Sequence, residues 1–468
     1  MEFLDRAGEL RRLDNALRHS GAFAVIWGRR RVGKSRLLLE WSRRRDGLYT
    51  VADQSAPAVQ RRYLAAAVAE RFGGFADVEY PDWRSFFTRL GDAAARASWN
   101  GPFILDELPY LIAADPSLAA VLQNWLDRPG GRPCLVASGS SRHMMHGAVL
   151  DADAPLYGRA VEAFAVRPLR PGYLADVFTA ATPRSLVSAY ALWGGLPRYW
   201  ELAEPYGGDL AAAVDELVLD PSGPLHEEPD RLLLAETPPA TSLRPLLDAI
   251  GAGAHRISEI AGRLGKPASS LTRQLAALTE MDFVRREIPF GSSPASGKRS
   301  LYRLDDPFLR LWFAAVAPHR AALAEAPRDT RLHYWRRHRA ALEGYAWEEL
   351  CRMAVPELHR IDTPLAPLGP WEPARRYWRG NAPELDVVAR SVDGRRLLVG
   401  EAKWSARSGP VSRAGPLPGI GGVPGTAGLE AVGVRFVPEA SVRIDASTGV
   451  HLVDASDVLS VLRETDRY

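Results

Sequence analysis

The chain has 468 residues, 46% of them hydrophobic and 25% charged, and a formal net charge of +3. This length predicts about three domains, and so small a net charge does not by itself indicate a nucleic-acid partner. The two cysteines, Cys134 and Cys351, are too few for a disulfide framework or a cysteine zinc site. Residues 1–10 lack the apolar core of a signal peptide, and no apolar run reaches membrane-spanning length. We therefore expect a soluble cytoplasmic protein without a membrane partner.

The first predicted strand, residues 23–27, leads into a glycine-bounded loop and then a helix from Ser35 to about Ser42. The two glycines allow backbone N–H groups to face a phosphate, and the helix N-terminus adds further donors. The loop fits G-x-x-x-x-G-K-[ST] at every defined position and reads Gly28-Arg29-Arg30-Arg31-Val32-Gly33-Lys34-Ser35. It predicts a site for ATP or ADP made by this loop and Arg36. In that site Lys34 reaches the β- and γ-phosphates and Ser35 holds Mg²⁺.

A second motif is the predicted strand at 102–107, an apolar strand that ends in Asp106 and Glu107. A carboxylate at the carboxyl end of a core strand can hold the Mg²⁺ shell, which is the role predicted for Asp106. Glu107 is predicted to orient and deprotonate the attacking water. Because this pair comes after a complete phosphate loop, the two motifs together predict a nucleotide hydrolase.

Three apolar runs predict the remaining strands of a parallel sheet, at 49–53, 134–138 and 163–168, with helices between them, among them 60–71 and 83–96. The polar turn at 138–141 either senses the γ-phosphate or is a plain turn at a strand end. Arg159 either reaches a triphosphate on another subunit as an arginine finger, which requires a homo-oligomer, or is a solvated side chain.

The order of several motifs resembles the prokaryotic "archaeal ATPase" family of the AAA+/STAND-like group of P-loop ATPases. These motifs are the opening Phe3-Leu4-Asp5-Arg6-Ala7-Gly8-Glu9-Leu10, the arginine-rich loop, Asp106-Glu107, the Gly-Ser-Ser turn, Tyr157-Gly158-Arg159 and Gly194-Gly195-Leu196-Pro197-Arg198-Tyr199. The resemblance implies an α-helical lid in which the turn at Pro197 lies near the adenine. It divides the first part of the chain into an ATPase core at 1–170 and a lid at 171–236.

Residues 237–325 predict a winged-helix unit. Apolar residues at helical spacing mark a helix that ends near Gly265 and a second helix that opens at Ser269 or Ser270. Strands at 283–288 and 300–304 follow around a Gly/Ser-rich turn, and 305–313 predicts a packing helix that also resembles the family. Residues suited to contact DNA bases and phosphates are Ser270, Thr272, Arg273, Gln274, Lys298 and Arg299. The alternative is a packing module whose polar face is merely solvated.

The polar stretch at 328–334 is predicted to be a linker into a C-terminal domain at 326–468. There, strands at 384–389 and 396–404 are joined by the turn Asp393-Gly394. Because side chains alternate along a strand, Glu401 and Lys403 share a face, and the hairpin brings Asp386 beside them. Two carboxylates that hold Mg²⁺ or Mn²⁺, next to a lysine, suit metal-assisted hydrolysis of a phosphodiester.

This C-terminal pattern resembles the PD-(D/E)xK nuclease core and the DUF234-type domain that is often fused to archaeal ATPases. The resemblance implies that Asp386, Glu401 and Lys403 are catalytic and that Glu348, in the helical motif 344–350, joins the metal site. The run at 375–379 either stacks on bases or is a rim of arginines over a core tryptophan. The Gly/Pro-rich stretch 409–428 replaces an expected helix and is predicted to be a loop. Strands at 434–437 and 450–453 and a helix at 457–463 are predicted to complete the domain.

The predicted fold is therefore α/β: a P-loop AAA+ core with a helical lid, a winged-helix unit and a C-terminal α/β restriction-endonuclease-like domain. The predicted function is an ATP-binding and ATP-hydrolysing ATPase coupled to a metal-dependent DNA nuclease. The alternative is a nucleotide-switched regulator that binds DNA or a protein and whose nuclease-like domain is catalytically silent.

Overall fold

The fold is given by a computed structural model, which describes residues 1–128, 132–140, 145, 147, 149, 151–236, 243–293, 299–379, 384–405, 411, 417, 423 and 428–463. The chain forms two compact units. One is Phe3–Pro168, and the other is Met1–Glu2 together with Leu169–Tyr468. Among the described residues, no helix is long and apolar enough to cross a membrane.

The unit Phe3–Pro168 is built on a parallel sheet. Its strands within the described residues are β1 (Phe23–Trp27), β2 (Leu48–Val51), β3 (Phe103–Asp106), β4 (Leu135–Gly139) and β5 (Ala160–Ala165). They pair in the order β2-β3-β4-β1-β5, so β4 lies between the strand before the phosphate loop and the strand that ends in Asp106. The carboxyl ends of parallel strands share one edge of a sheet. The predicted nucleotide residues are therefore gathered at that edge.

Helices cover this sheet. They are α1 (Ala7–Leu17), α2 (Lys34–Arg44), α3 (Pro57–Ala69), α4 (Trp83–Arg96), α5 (Leu108–Ala114) and α6 (Ser117–Asp127), with a 3₁₀ turn at Phe75–Asp77. Helix α4 begins where predicted because the Asp82 carboxylate accepts a hydrogen bond from the Ser85 backbone N–H at 2.8 Å. Its apolar face, with Trp83, Phe86 and Phe87, is buried in the core of this unit.

The second unit opens with helices in the region predicted to be the lid. They are α7 (Leu174–Val177), α8 (Pro183–Trp193), α9 (Pro197–Ala203), α10 (Leu210–Val214) and α11 (Glu228–Glu236), with 3₁₀ turns at Pro171–Tyr173 and Glu204–Tyr206 and a π-helical turn at Asp215–Leu219. Thr182 caps α8 by accepting from the Ser185 backbone N–H at 3.2 Å. Every residue of α8 from Leu186 to Trp193 is buried, so this helix is a core element of the unit.

The winged helix forms as the sequence predicts. It consists of α12 (Arg244–Gly251), α13 (Ile257–Leu264), α14 (Ala268–Glu280) and the antiparallel strands β6 (Val284–Glu287) and β7 (Leu301–Leu304). Ile260, Leu271 and Leu275 are buried between its helices. The packing helix follows as α15 (Pro307–Ala315), then a 3₁₀ turn at Ala317–His319 and α16 (Arg320–Glu325).

The prediction of a linker at 328–334 is wrong, because this stretch opens the long helix α17 (Arg328–Ala354). Arginine is a good helix former, and Leu332 and Trp335 place apolar side chains three residues apart on a buried face. Arg331 also donates to the buried Asp215 carboxylate at 2.8 and 2.9 Å. The polar composition that resembled a linker is the solvated and ion-paired side of a helix.

The C-terminal domain is a mixed sheet flanked by helix α17. Its strands within the described residues are β8 (Arg375–Tyr377), β9 (Leu385–Arg390), β10 (Arg396–Ala402), β11 (Glu430–Val437) and β12 (His451–Asp454), followed by α18 (Ala455–Val461). The order is β12-β11-β10-β9-β8. The predicted β9–β10 hairpin is antiparallel, and β11 and β12 run parallel to β10. Short 3₁₀ turns lie at Val355–Arg360 and Ala366–Leu368. The predicted loop 409–428 lies mostly outside the described residues.

Candidate functional site

The phosphate loop joins β1 to α2 with the backbone that its glycines permit. Gly28 has φ 155°, and a Cβ there would lie 2.6 Å from the Val166 carbonyl oxygen, so a side chain cannot be accommodated. Gly33 has φ 94° and directly precedes Lys34, the first residue of α2. A left-handed residue at this point favours glycine. The loop thus has the curled backbone that phosphate binding requires.

Lys34 lies inside the loop, where its side chain is buried. Its Nζ donates to the Gly28 carbonyl at 2.7 Å and to the Arg29 carbonyl at 3.4 Å. These contacts hold the ammonium group at the centre of the loop. A triphosphate would offer it oxygen acceptors in place of the two carbonyls.

Two arginines fix the loop to its surroundings. Arg6, in the opening motif, is 5% exposed and donates to the Val32 carbonyl at 2.7 Å. Burial lowers the pKa of Arg6, although Glu9 and Asp5 oppose that shift. Arg30 donates to the Tyr110 hydroxyl at 2.7 Å. Arg29 and Arg36 are half-buried, and Arg31 is exposed with φ 68°.

Asp106 is 1% exposed and is surrounded by hydroxyl groups. Its Oδ2 accepts from Ser35 Oγ at 2.7 Å and from Tyr49 Oη at 2.5 Å, and its Oδ1 accepts from Ser138 Oγ. Burial, and then the charge of Asp106, raise the pKa of Tyr49, so the phenol stays protonated as a donor. The motif residues Ser35 and Asp106, remote in sequence, are thus in direct contact.

Glu107 is the next residue, with φ 61°, and it begins helix α5 from a left-handed conformation. Its carboxylate accepts from the Ser140 backbone N–H at 3.1 Å and from the Ser140 hydroxyl. The end of β4 and the residue after it therefore contact both acids, Ser138 at Asp106 and Ser140 at Glu107. Ser141, the last residue of that turn, lies outside the described residues.

The hydroxyl oxygen of Ser35 and the carboxylate oxygens of Asp106 suit Mg²⁺, a cation that takes oxygen ligands. Ser35 and Asp106 would hold it, and Glu107, the next residue along and restrained by Ser140, would orient water. When bound, Mg²⁺ neutralises charge on the phosphates. The neutral hydroxyl partners of Asp106 leave its negative charge available to such a cation.

Two further predicted ATPase residues are Arg159 and Pro197. The Arg159 guanidinium donates to the Asp127 carboxylate at 2.9 Å through both Nε and Nη2, at the surface of the first unit. Pro197 begins α9 in the second unit and is buried. The turn before it is tight: Gly194 has φ 54°, and its carbonyl accepts from Trp200 Nε1 at 2.8 Å.

In the C-terminal domain, the hairpin places Asp386 beside the end of β10. The Asp386 carboxylate accepts from the Ala402 backbone N–H at 3.1 Å. Glu401 and Lys403 flank that residue, and Lys403 Nζ lies 3.6 Å from the Glu401 carboxylate. Lys403 is 58% exposed. The predicted juxtaposition of these three residues is present.

Glu348 lies on α17, and Arg352 connects it to Asp386. Arg352 Nη1 is 3.5 Å from the Glu348 carboxylate and donates to the Asp386 carbonyl at 3.1 Å. Burial, and then the charge of Asp386, raise the pKa of Glu348. The two carboxyl groups are therefore close enough to repel one another.

Glu401 is held by another partner. It lies opposite Arg435 in the parallel β10–β11 register, and Arg435 Nη2 donates to its carboxylate at 2.8 Å. Within the part of the chain that the structure describes, no group of three His, Cys, Asp or Glu residues is arranged to hold a metal ion. Glu348, Asp386 and Glu401 are thus not arranged as a metal cluster, and Glu401 is paired with the Arg435 guanidinium.

Glu349, the residue after Glu348, has a structural role in an ion-pair network. It is 8% exposed, and its carboxylate accepts from Arg285 at 2.7 Å and from Arg310 at 2.6 Å. Burial disfavours its charge, but Arg285 and Arg310 outweigh that effect and lower the pKa of Glu349 to about 2. Arg285 belongs to β6 and Arg310 to α15, so this pairing joins the winged helix to α17.

The surface features that suggested DNA contact divide into two groups. Ser270, Thr272 and Arg273 are exposed on α14, as predicted, and Arg299 is exposed at the wing, whereas Lys298 lies outside the described residues. In the run 375–379, by contrast, Tyr377 and Trp378 are 4% and 7% exposed. Those rings are covered, which favours the rim of arginines over base stacking.

Sequence reasoning missed Tyr49, Arg352 and Arg435 as partners of the predicted acids. None has a local motif. Arg435 could have been found from strand pairing, because it faces Glu401 across β10 and β11. Tyr49 and Arg352 depend on how a neighbouring strand and a helix pack, which spacing along the chain does not reveal.

Three protein families match successive parts of the chain. Residues 3–202 match the family described as an ATPase domain predominantly from Archaea. Residues 233–287 match the IclR helix-turn-helix domain. Residues 312–413 match DUF234, a family of archaeal and bacterial proteins of unknown function. The predicted resemblance to archaeal P-loop ATPases with a winged helix and a DUF234 domain is confirmed.

Two individual proteins are similar over much of the chain. An uncharacterized protein of Methanocaldococcus jannaschii is 29% identical over 408 residues, 86% of this chain and 87% of that protein. The solved Walker-type ATPase of Pyrococcus abyssi has a TM-score of 0.53 at 21% identity, and the match covers 66% of this chain and 96% of that one. The latter confirms the predicted α/β fold with a parallel P-loop core.

Proposed function

We propose that this chain hydrolyses ATP at Lys34, Ser35, Asp106 and Glu107. Residues 3–202 match the family described as an ATPase domain predominantly from Archaea, which supports the proposal. The observation that carries the proposal is the 2.7 Å hydrogen bond from Ser35 to the buried Asp106. It joins the end of the phosphate loop to the acid that would hold Mg²⁺. Lys34 would bind phosphate, and Glu107 would accept a proton from the attacking water.

The test of this ATPase proposal is Glu107→Gln. The amide keeps the size of the side chain but cannot accept a proton, so turnover should fall about 10²- to 10⁴-fold. Nucleotide affinity should stay within about twofold, since general-base action adds little to ground-state binding. Glu70→Gln, an exposed change in the same unit, is the control. Turnover at the rate of that control would rule out Glu107 as the base.

We propose that the winged helix and the C-terminal domain act on DNA under control of this ATPase. The exposed residues Ser270, Thr272 and Arg273 on α14 support DNA contact. ATP binding would close the core against the lid, and hydrolysis would change the state of the C-terminal domain. A homo-oligomer follows if Arg159 exchanges Asp127 for a triphosphate on another subunit.

For the C-terminal domain, the first candidate activity is metal-dependent DNA cleavage. Its support is the hairpin, which brings Asp386, Glu401 and Lys403 together as in a PD-(D/E)xK nuclease core. The carboxylates of Asp386, Glu401 and Glu348 would hold Mg²⁺ or Mn²⁺. Lys403, exposed at the end of β10, would supply a positive charge next to the scissile phosphate.

A second candidate is a catalytically silent domain that binds DNA or a protein in a nucleotide-dependent way. One contact favours it: the 2.8 Å hydrogen bond from Arg435 to Glu401. A metal at Glu401 would have to compete with this guanidinium, and two cations on one carboxylate repel each other. A domain of this kind would bind its partner without cleaving it.

One experiment separates the two candidates. The protein is incubated with supercoiled plasmid or single-stranded DNA, with Mg²⁺ or Mn²⁺, and with or without ATP. The first candidate predicts metal-dependent cleavage that falls about 10²-fold in Lys403→Ala and is retained in Arg395→Ala, an exposed change in the β9–β10 turn. If the protein still binds ATP and DNA but cleaves DNA under none of these conditions, the C-terminal domain is catalytically silent.

A further inference from the structure

A cavity of about 720 Å³ lies within the second unit, and all of its lining residues belong to that unit. It is formed by the wing strand β6, helix α17, the 3₁₀ turn Val355–Arg360, and the segment around β8. The wing and the sheet are joined at its edge, where the Phe290 backbone N–H donates to the Arg376 carbonyl at 2.8 Å. The cavity therefore sits where the winged helix meets the C-terminal domain.

Arginine dominates the polar part of the lining. Its principal polar residues are Arg170, Arg286, Arg352, Arg375, Arg376 and Trp378. Arg285 and three glutamates also line it, which gives a formal excess of three positive charges in a chain whose whole net charge is +3. Each of the three glutamates has an arginine partner: Glu349 is 2.7 Å from Arg285, Glu287 is 3.6 Å from Arg376, and Glu357 is 4.0 Å from Arg170. The excess is the difference between the six arginines and the three glutamates of the lining.

Two donors of the lining, Arg352 Nη2 and Trp378 Nε1, have no hydrogen-bond acceptor within the described part of the chain, and Arg376 Nη1 lies 3.6 Å from its ion-pair partner Glu287, beyond hydrogen-bond distance. Trp378 is 7% exposed, and the side chains of Arg352 and Arg376 are 11% and 12% exposed. A buried donor left without an acceptor costs about 1–3 kcal/mol. An anion that reached these groups through a small side-chain movement would recover part of that cost.

The volume and the chemistry of the lining indicate one class of ligand. A cavity of 720 Å³ is within the range of small-molecule sites, about 300–1,000 Å³. Guanidinium groups match phosphate oxygens through paired N–H donors. Ile288, Met353 and Leu462 add apolar surface to the same lining, which suits a sugar or a base. We propose that this cavity binds the phosphate of a nucleotide, either a free mononucleotide or one residue of a nucleic-acid strand.

Arg352 connects the cavity to the acidic residues Glu348 and Asp386. Its Nη1 contacts the Glu348 carboxylate at 3.5 Å and the Asp386 carbonyl at 3.1 Å, while the same side chain lines the cavity. A phosphate drawn to this guanidinium would compete with Glu348 for it. Occupancy of the cavity would thus alter the position or charge of the predicted nuclease residues.

The test uses the full chain with Lys34→Ala, which weakens nucleotide binding at the phosphate loop. Two probes are titrated, ADP by calorimetry and a short fluorescein-labelled oligothymidylate by anisotropy. We expect at least one probe to bind. Adding Arg286→Ala and Arg375→Ala should weaken that binding about tenfold or more. For the oligonucleotide, the double change should also reduce the salt slope by about 0.7 for each phosphate that is no longer neutralised.

Matched variants in the same background locate the binding. Arg395→Ala removes an exposed arginine of the β9–β10 turn that does not line the cavity, and it should leave the binding of both probes unchanged. Arg273→Ala removes an exposed arginine of α14 and reports any contribution of the winged helix to binding of the oligonucleotide. Arg375→Ala alone, at an exposed side chain, serves if the double variant does not fold. Saturable ADP binding identifies a mononucleotide site, and binding of the oligonucleotide alone identifies a strand site.

Two results would overturn the proposal. One is that the Lys34→Ala chain binds neither probe. The other is that binding is lost in Arg273→Ala but unchanged in the cavity variants, which would place the nucleic acid on the winged helix alone. Both readouts are independent of ATP hydrolysis and DNA cleavage, so failure here does not imply failure of the proposed function.

Discussion

Asp106 in the first unit and Glu349 in the second are both buried carboxylates, 1% and 8% exposed, but their partners differ in charge. Asp106 accepts hydrogen bonds from the hydroxyls of Ser35, Tyr49 and Ser138. Glu349 accepts from two guanidinium groups, Arg285 and Arg310. The first set of partners stabilises the oxygens without cancelling the charge, whereas the second set cancels it.

This difference separates a site that is ready for a cation from one that is already neutralised. A buried carboxylate with neutral partners attracts an additional positive charge, and MgATP can provide it. A carboxylate paired with arginine holds structural elements together instead. By this criterion Glu401, with Arg435 at 2.8 Å, resembles Glu349 more than Asp106, which is why the cleavage activity of the C-terminal domain needs its own test.

The largest expected effect is that of Glu349→Ala, which leaves Arg285 and Arg310 buried without their acceptor. Removing one member of a buried ionic network typically lowers the free energy of unfolding by about 3–5 kcal/mol. Urea unfolding followed by tryptophan fluorescence measures it, with Glu325→Ala, an exposed change, as the control. A loss no greater than that of the control would show that the network is not structural.

At the other carboxylate, Asp106→Asn should mainly affect catalysis. The amide keeps hydrogen-bonding capacity toward Ser35 and Tyr49 but carries no charge for Mg²⁺, so ATP turnover should fall about 10²- to 10³-fold. Steady-state hydrolysis over a range of Mg²⁺ concentrations measures this. Asp92→Asn, at an exposed position, should behave as the unmodified protein. Equal turnover in both variants would contradict the role given to Asp106.

A smaller effect is expected from Tyr49→Phe, which removes one donor to Asp106. A hydrogen bond to a charged group contributes about 1.5–3 kcal/mol, so the free energy of unfolding of the first unit should fall by that amount. Tyr63→Phe, 58% exposed, is the control. Thermal unfolding of the two variants side by side gives the comparison, and identical midpoints would argue against the hydrogen bond.

The last expected effect develops over a pH range and is a pH dependence due to Glu349. Its pKa in the folded chain is about 2, below its ordinary value of 4.5, so its contribution to stability is complete above pH 4.5 and is lost as the pH falls toward 2. Glu349→Gln lacks this titration. Between those pH values its free energy of unfolding should decline less steeply than that of the unmodified protein. Parallel declines would mean that Glu349 does not have a lowered pKa.

The local motifs could be predicted from the sequence because their chemistry depends on residues that are adjacent or regularly spaced. The curl of the phosphate loop follows from Gly28 and Gly33, and the β9–β10 hairpin from Asp393-Gly394 and the alternation of the flanking strands. Helix α14 and its exposed polar residues followed from apolar residues at helical spacing. In each case a few neighbouring residues determine the backbone.

Other features required the tertiary structure, because they depend on partners that are remote in sequence. The polar stretch at 328–334 resembles a linker until Leu332, Trp335 and the Arg331–Asp215 pair make it the start of a helix. Likewise, Glu401 and Asp106 are both acids at the carboxyl end of a strand. The sequence determined where these acids stand along the chain. Packing decided that one meets hydroxyls and the other a guanidinium, and the charge of those partners decides what each acid can bind.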